Sequence, residues 1–140
     1  MAVAEIMPEN GRAFIVVDKD SFLTADIKEA ITLQFPHSAV LCCASVDDAA
    51  QTLQNAYALG AVFVPLAQFE ENAAWLIATV TARGGVLVVT GAQQGALGFD
   101  SEQRRPNVVA LARPITNDMM TDLFAKISDH RTQNQCLSQT

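Results

Sequence analysis

Residues 13–20 read Ala13-Phe14-Ile15-Val16-Val17-Asp18-Lys19-Asp20. Five consecutive apolar residues are too few for a standing helix and show none of the alternation of a half-solvated strand, so they read as a strand buried on both faces. The polar triplet behind them ends it. Four further runs repeat the pattern: Ala39 to Cys43, Ala61 to Leu66, Val86 to Val89 and Val108 to Leu111. Between them lie stretches with helical spacing, namely Leu23, Ile27 and Ile31, then Ala49, Leu53 and Ala56 with Tyr57, then Trp75 with Leu76 and Thr79 with Val80. A last helix carries Met119, Leu123 and Ile127 beside Met120 and Phe124. Strands alternating with helices imply a parallel sheet covered on both faces and wound by right-handed crossovers.

The chain has 140 residues, half of them apolar and 17% charged, which predicts one ordinary folded domain. Nine Lys and Arg against fifteen Asp and Glu leave a net charge of −6, so no overall basic field attracts nucleic acid or anionic lipid. The apolar runs fall far short of the roughly 20 residues a membrane helix needs, and the first twelve residues lack the regions of a secretory signal. A cytoplasmic protein is expected. Three cysteines, Cys42, Cys43 and Cys136, give no even disulfide framework and no metal-ligand spacing. Cys42 and Cys43 are adjacent in a strand and face opposite ways, and at least one reads as a small buried hydrophobe.

Ser45 before Val46-Asp47-Asp48, and Thr116 before Asn117-Asp118, are helix caps with acids in the first turn. The segment from Gly91 to Asn107 contains Gly95, Gly98 and Pro106 with little apolar periodicity, so a helix between strands four and five is expected to be short or irregular. From Ser128 onward the sequence is polar and without pattern, as in a frayed end. The expected division is residues 1–12 as a lead, 13–130 as the domain and 131–140 as a polar tail.

Ligands of open parallel sheets sit at the carboxyl ends of the strands. Those ends carry Asp18-Lys19-Asp20, Pro65-Leu66, Thr90-Gly91 and Arg113-Pro114. An acidic cluster after strand one, a hydroxyl after strand four and a basic residue with proline after strand five give a layout that resembles the receiver domain of two-component response regulators, over roughly residues 12 to 130. The resemblance implies a flavodoxin-like (βα)5 fold, a doubly wound parallel sheet in the order 2-1-3-4-5. It also implies a pocket in which acids hold a divalent metal, a central Asp accepts phosphoryl, and the hydroxyl and a Lys bind the phosphate.

The residues depart from that chemistry. Gly60-Ala61-Val62-Phe63-Val64-Pro65 matches the family's acceptor strand and puts Pro65 at the acceptor position; a shift of one gives Leu66, and neither has a nucleophile. The family's paired acids appear as Asp18-Lys19, and an ammonium there repels Mg²⁺. Lys19 either pairs with Asp18 or Asp20, standing in for the metal, or belongs to a solvated turn. Arg113 occupies the family's lysine position with carboxylate-clamping geometry, and the peptide before Pro114 is of the kind that can be cis. The aromatic partner of the switch hydroxyl is replaced by Ala110. Asp18, Lys19, Asp20, Pro65, Thr90 and Arg113 thus outline a degenerate pocket, with a charged cluster of Asp18, Lys19, Asp20 and Arg113 expected in it and no catalytic residue, metal or cofactor.

Other motifs carry less. Thr90-Gly91 with Gly95 and Gly98 mimics a dinucleotide loop, but too few residues follow for that fold. His37 and His130 lack spaced partners, Trp75 lies on a core stripe, and Arg104-Arg105 is an isolated loop pair. The expected function is a phosphorylation-independent pseudo-receiver, a protein-interaction or dimerisation module in bacterial signalling or transcription control. Its face would include Asn117, Met120, Asp122 and Lys126, its partner a protein or a second copy, with no direct nucleic-acid or membrane contact. The alternatives are a small-molecule or anion sensor using the vacated pocket, and a detached input domain of a transcription or antitermination regulator.

Overall fold

The computed structural model describes residues 12–56, 58–92 and 107–139, with side chains through residue 129. Five strands, β1 (Ala13–Val17), β2 (Ala39–Cys43), β3 (Leu59–Pro65), β4 (Val86–Thr90) and β5 (Val108–Leu111), form one parallel sheet in the order β2-β1-β3-β4-β5. The described helices are α1 (Ser21–Gln34), α2 (Val46–Asn55), α3 (Leu66–Ala82) and α4 (Asn117–Gln139). The alternation predicts the parallel sheet, and the order is the flavodoxin-like winding that the receiver resemblance implies. The segment where an irregular helix was expected, with Gly95, Gly98 and the Arg104-Arg105 pair, lies largely outside the described residues.

Each strand face supplies one core layer. Ile15, Val17, Val62, Val64, Leu87 and Val89 pack under α2 and α3 with Leu53, Leu76 and Val80. Phe14, Val16, Phe63 and Val88 turn the other way, toward Ile27 and Ile31 of α1 and Leu123, Phe124 and Ile127 of α4. The period-two alternation of a strand explains how neighbouring residues serve opposite layers. In the second layer the Phe35 ring stacks on Phe14 and meets Phe124 edge-on, at centroid distances of 5.2 and 5.5 Å. Trp75 is half-buried against the first layer, as its helical stripe suggests.

The caps form as read. Ser45 Oγ accepts from the Asp48 N–H at 3.1 Å, and Thr116 Oγ1 accepts from the Met119 N–H at 3.2 Å. Asn107, buried at the entry to β5, donates to Thr81 Oγ1 at 2.9 Å and so ties that strand to the end of α3. Among the described residues, no helix is long and apolar enough to cross a membrane.

Three expectations need correction. β2 is not buried on both faces: it is an edge strand, with Leu41 38% exposed and Cys42 exposed. A short apolar run reads the same at the edge as at the centre, because the pattern carries no information on neighbours. Cys43 does pack against the core, and burial, with Asp48 adding, pushes its thiol up to about 11. At the other end, the backbone from Ser128 stays helical to Gln139 although the apolar periodicity stops. Gln, Arg and Leu are adequate helix formers, so propensity can carry the backbone on where the apolar pattern stops. Finally, β3 starts two residues before Ala61, because the pairing with β1 slips at Gly60.

That slip has a packing cause. A Cβ on Gly60 would lie 2.4 to 2.8 Å from ring atoms of Phe14, so the ring occupies the space a side chain would need. Gly60→Ala is therefore expected to lower stability by about 1 to 3 kcal/mol through overpacking, measured by urea unfolding. An unchanged midpoint would show that Phe14 moves aside freely.

Candidate functional site

The carboxyl ends of β1 and β3 and the loop after β5 meet at a cavity of about 520 Å³. Its walls include Asp18, Lys19, Pro65 and Arg113 of the expected set, and in addition Ser45, Asp47, Gln68, Glu71 and Asn72. Asp18 follows the last residue of β1, and its N–H donates to the Cys43 carbonyl at 3.0 Å, which extends the sheet by one rung. Its side chain is only 10% exposed and both oxygens are engaged. Oδ1 accepts from the Asp20 N–H at 2.9 Å, closing the turn, and Oδ2 accepts from Arg113 Nη2 at 2.8 Å.

Arg113 reaches Asp18 from the loop behind β5. The Arg113–Pro114 peptide is cis. Gly91, with φ +75°, passes beneath the arginine: a Cβ there would sit 3.5 Å from Arg113 Nε. Its N–H donates to the Leu111 carbonyl at 2.9 Å. The positive φ calls for glycine, while a Cβ would only touch the arginine at ordinary contact distance. The arginine is 47% exposed, so this is a rim ion pair rather than a buried one.

The expected four-member cluster is not what forms. Asp20 turns away to cap α1, accepting from the N–H groups of Phe22 and Leu23 at 3.0 and 3.3 Å. A short acid immediately before a helix serves the orphan N–H groups of the first turn, and that local demand wins over a distant cation. Lys19 is exposed and makes no ion pair among the described residues. Thr90 is in register with Pro65 yet does not line the cavity; it is 2% exposed and its hydroxyl has no hydrogen-bond partner among the described residues. Met120, expected on an interaction face, is buried in the core layer under α4, whereas Asn117, Asp122 and Lys126 are exposed.

Sequence reasoning missed the floor of the cavity. Gln68 Oε1 accepts from the Val46 N–H at 2.8 Å, and its Nε2 donates to the Ala44 carbonyl at 3.2 Å, so one side chain joins the start of α3 to the start of α2. Asn72 breaks the helical dihedrals of α3, with φ −131° and ψ 21°, and donates to the Gln68 carbonyl at 2.9 Å. Their signal was positional: both lie in the first two turns of the helix that follows the strand end occupied by Pro65. α3 starts there with no side-chain cap, since proline offers none.

This donor set does not fit the divalent metal that the layout implies. Asp18 is committed to Arg113, Asp20 to a helix cap, and an ammonium holds the intervening position. Among the described residues, no group of three His, Cys, Asp or Glu side chains is placed to hold a metal ion.

No family model and no curated protein matches this chain. Solved structures do. A response regulator receiver domain protein from Methanospirillum hungatei superposes with a TM-score of 0.66 at 13% identity, covering 87% of this chain and 98% of that one. The fold is that of a response-regulator receiver domain. A receiver-modulated diguanylate cyclase from Pelobacter carbinolicus gives 0.65 at 13% identity, covering 92% and 99%. A pilus assembly protein from Caulobacter crescentus gives 0.55 at 16%, covering 83% and 90%. Identities this low speak for the receiver fold alone.

The Asp18–Arg113 pair has a measurable signature. Arg113→Ala should cost about 1 kcal/mol or less, because a half-exposed guanidinium is well solvated. Asp18→Ala should cost more, since it also removes the acceptor for the Asp20 N–H ahead of α1. Asp18→Asn, which can keep that turn bond, should fall between. Urea unfolding of the three variants checks the ranking, and an Arg113→Ala loss exceeding that of Asp18→Ala contradicts it.

Proposed function

We propose that this protein is a phosphorylation-independent receiver-like module that works by binding a protein, either a partner or a second copy of itself, in bacterial cytoplasmic signalling or transcription control. The observation that carries the reading is the state of the pocket: Pro65 stands where a phosphoacceptor would be, and Arg113 neutralises the acid that would ligand a metal. Proline has no nucleophilic atom, so no phosphoryl group can be accepted there. The reading assigns the chain no catalysis and no cofactor.

In ordinary receivers a phosphoryl group shifts a pre-existing equilibrium toward the associating state. A module without that lever must already populate the competent state or be driven to it by its partner. The face assigned to this role is the exposed side of α4 beside β5, with Asn117, Asp122 and Lys126. Met120 drops out because it is buried, and its substitution would report on folding. Nucleic-acid contact, in this reading, belongs to other proteins or other domains.

A second reading is favoured by the cavity itself. About 520 Å³ walled by Lys19, Asp47, Gln68, Glu71 and Asn72 is of ligand-binding size with charges of both signs, which suits a small zwitterion. Calorimetry against amino acids and related metabolites separates this from pure protein association.

Acetyl phosphate or beryllofluoride with Mg²⁺ should give no adduct by mass spectrometry and no change in association by sedimentation. Asp122→Lys should weaken partner capture or dimerisation while leaving the unfolding midpoint unchanged. A stoichiometric acid-labile phosphate on any aspartate would sink the proposal.

A further inference from the structure

We infer that the outer edge of β2 is a self-pairing surface, on which a second copy of this chain adds its own β2 in antiparallel orientation about a twofold axis at Leu41. This surface is separate from the α4 face proposed above and does not rest on it.

The argument starts from the backbone. In a parallel pair each residue points both its N–H and its C=O to the same side, and the side alternates along the strand. The Ala39 N–H donates to the Arg12 carbonyl and the Cys43 carbonyl accepts from the Asp18 N–H, so Ala39, Leu41 and Cys43 face β1. Val40 and Cys42 therefore direct their N–H and C=O groups outward, and among the described residues no strand pairs with that side. Both flanks are already engaged: the Ser38 N–H donates to the Phe35 carbonyl, and the Ala44 carbonyl accepts from Gln68. Val40 and Cys42 are thus the residues of this edge that offer both a donor and an acceptor outward.

Two such edges are self-complementary in a single register. With Leu41 opposite Leu41, Val40 of each copy faces Cys42 of the other as a hydrogen-bonded pair, and the outward N–H and C=O groups of both residues are used. Shifting the axis to Cys42 would set Val40 against Ala44, whose carbonyl is taken. Charge also permits the pairing. The chain is at −6, yet residues 30–46 contain no Asp, Glu, Lys or Arg, so the paired strands themselves bring no like charges together. Edge strands are normally guarded by charge or proline. This one has neither, and presents Leu41 at 38% exposure with Cys42 beside it. Five residues bury less than a standard interface, so the dimer is weak and concentration-dependent.

Amide hydrogen exchange at low and high protein concentration tests this. Val40 and Cys42 amides should slow about tenfold once about nine-tenths of the chains are paired, while Leu41, already bonded to β1, stays constant. In Leu41→Cys made on a Cys42→Ser background, mild oxidation should give a covalent dimer, because non-hydrogen-bonded antiparallel partners lie about 4.5 Å apart, within disulfide reach. Leu41→Lys, at a half-exposed site, should keep the fold and abolish the concentration-dependent protection, whereas Asp122→Lys should leave both the protection and the Leu41→Cys cross-link intact. Protection of Val40 and Cys42 that ignores concentration would place another segment of the same chain on the edge and overturn the proposal. Absence of protection at any concentration, or cross-linking of the native Cys42 in place of Leu41→Cys, would overturn it as well.

Discussion

Because β1, β3 and β4 are covered on both faces, their backbone groups can be satisfied only by neighbouring strands, and polar side chains can appear only where those strands stop. That constraint arranges the rest. It collects Asp18, Lys19, Pro65 and Arg113 at one end of the sheet, sends the helices to both faces, and leaves β2 and β5 as edges. Fully buried residues such as Ile15, Val62 and Leu87 each contribute on the order of 1.5 to 3 kcal/mol. An exposed ion pair contributes about 1 kcal/mol or less. The core therefore dominates, and the chemistry at the strand ends can change without endangering the fold.

In the proposed reading the residues of the pocket form a consistent set. Without an acceptor at Pro65 a metal has nothing to assist, and the ammonium of Lys19 discourages one. The carboxylate that remains, Asp18, would be an uncompensated charge at a largely buried position without a cation. Arg113 supplies one from across the sheet, reaching over Gly91 to Asp18 Oδ2. Gln68 and Asn72 then shape the cavity wall where an acceptor strand would otherwise deliver its carboxylate.

Most of the fold was legible in the sequence, since short apolar runs and helical stripes are the direct record of burial. Ile27, Ile31, Leu53, Leu76, Val80 and Ile127 all lie in the core where the periodicity put them. What pattern does not carry is neighbourhood. β2 has the same composition as a central strand, so its edge position became visible only with the sheet order. At the site, Asp18, Pro65 and Arg113 were found from their places at strand ends. Asp20 was misassigned because its local role as a helix cap competes with the pocket. Met120 shares a stripe with Phe124 that belongs to the core, and the polar residues beside it obscured this. Gln68 and Asn72 escaped notice because their contacts span separate elements or a helix kink.

The central proposal is that the Asp18–Arg113 ion pair stands where the receiver resemblance implies a metal. An amide NMR titration with Mg²⁺, matched against the same ionic strength of sodium chloride, tests it most directly. The account predicts that the amides of Asp18, Lys19, Asp20 and Gly91 respond alike to both salts. A saturable, Mg²⁺-specific shift centred on those residues would contradict it.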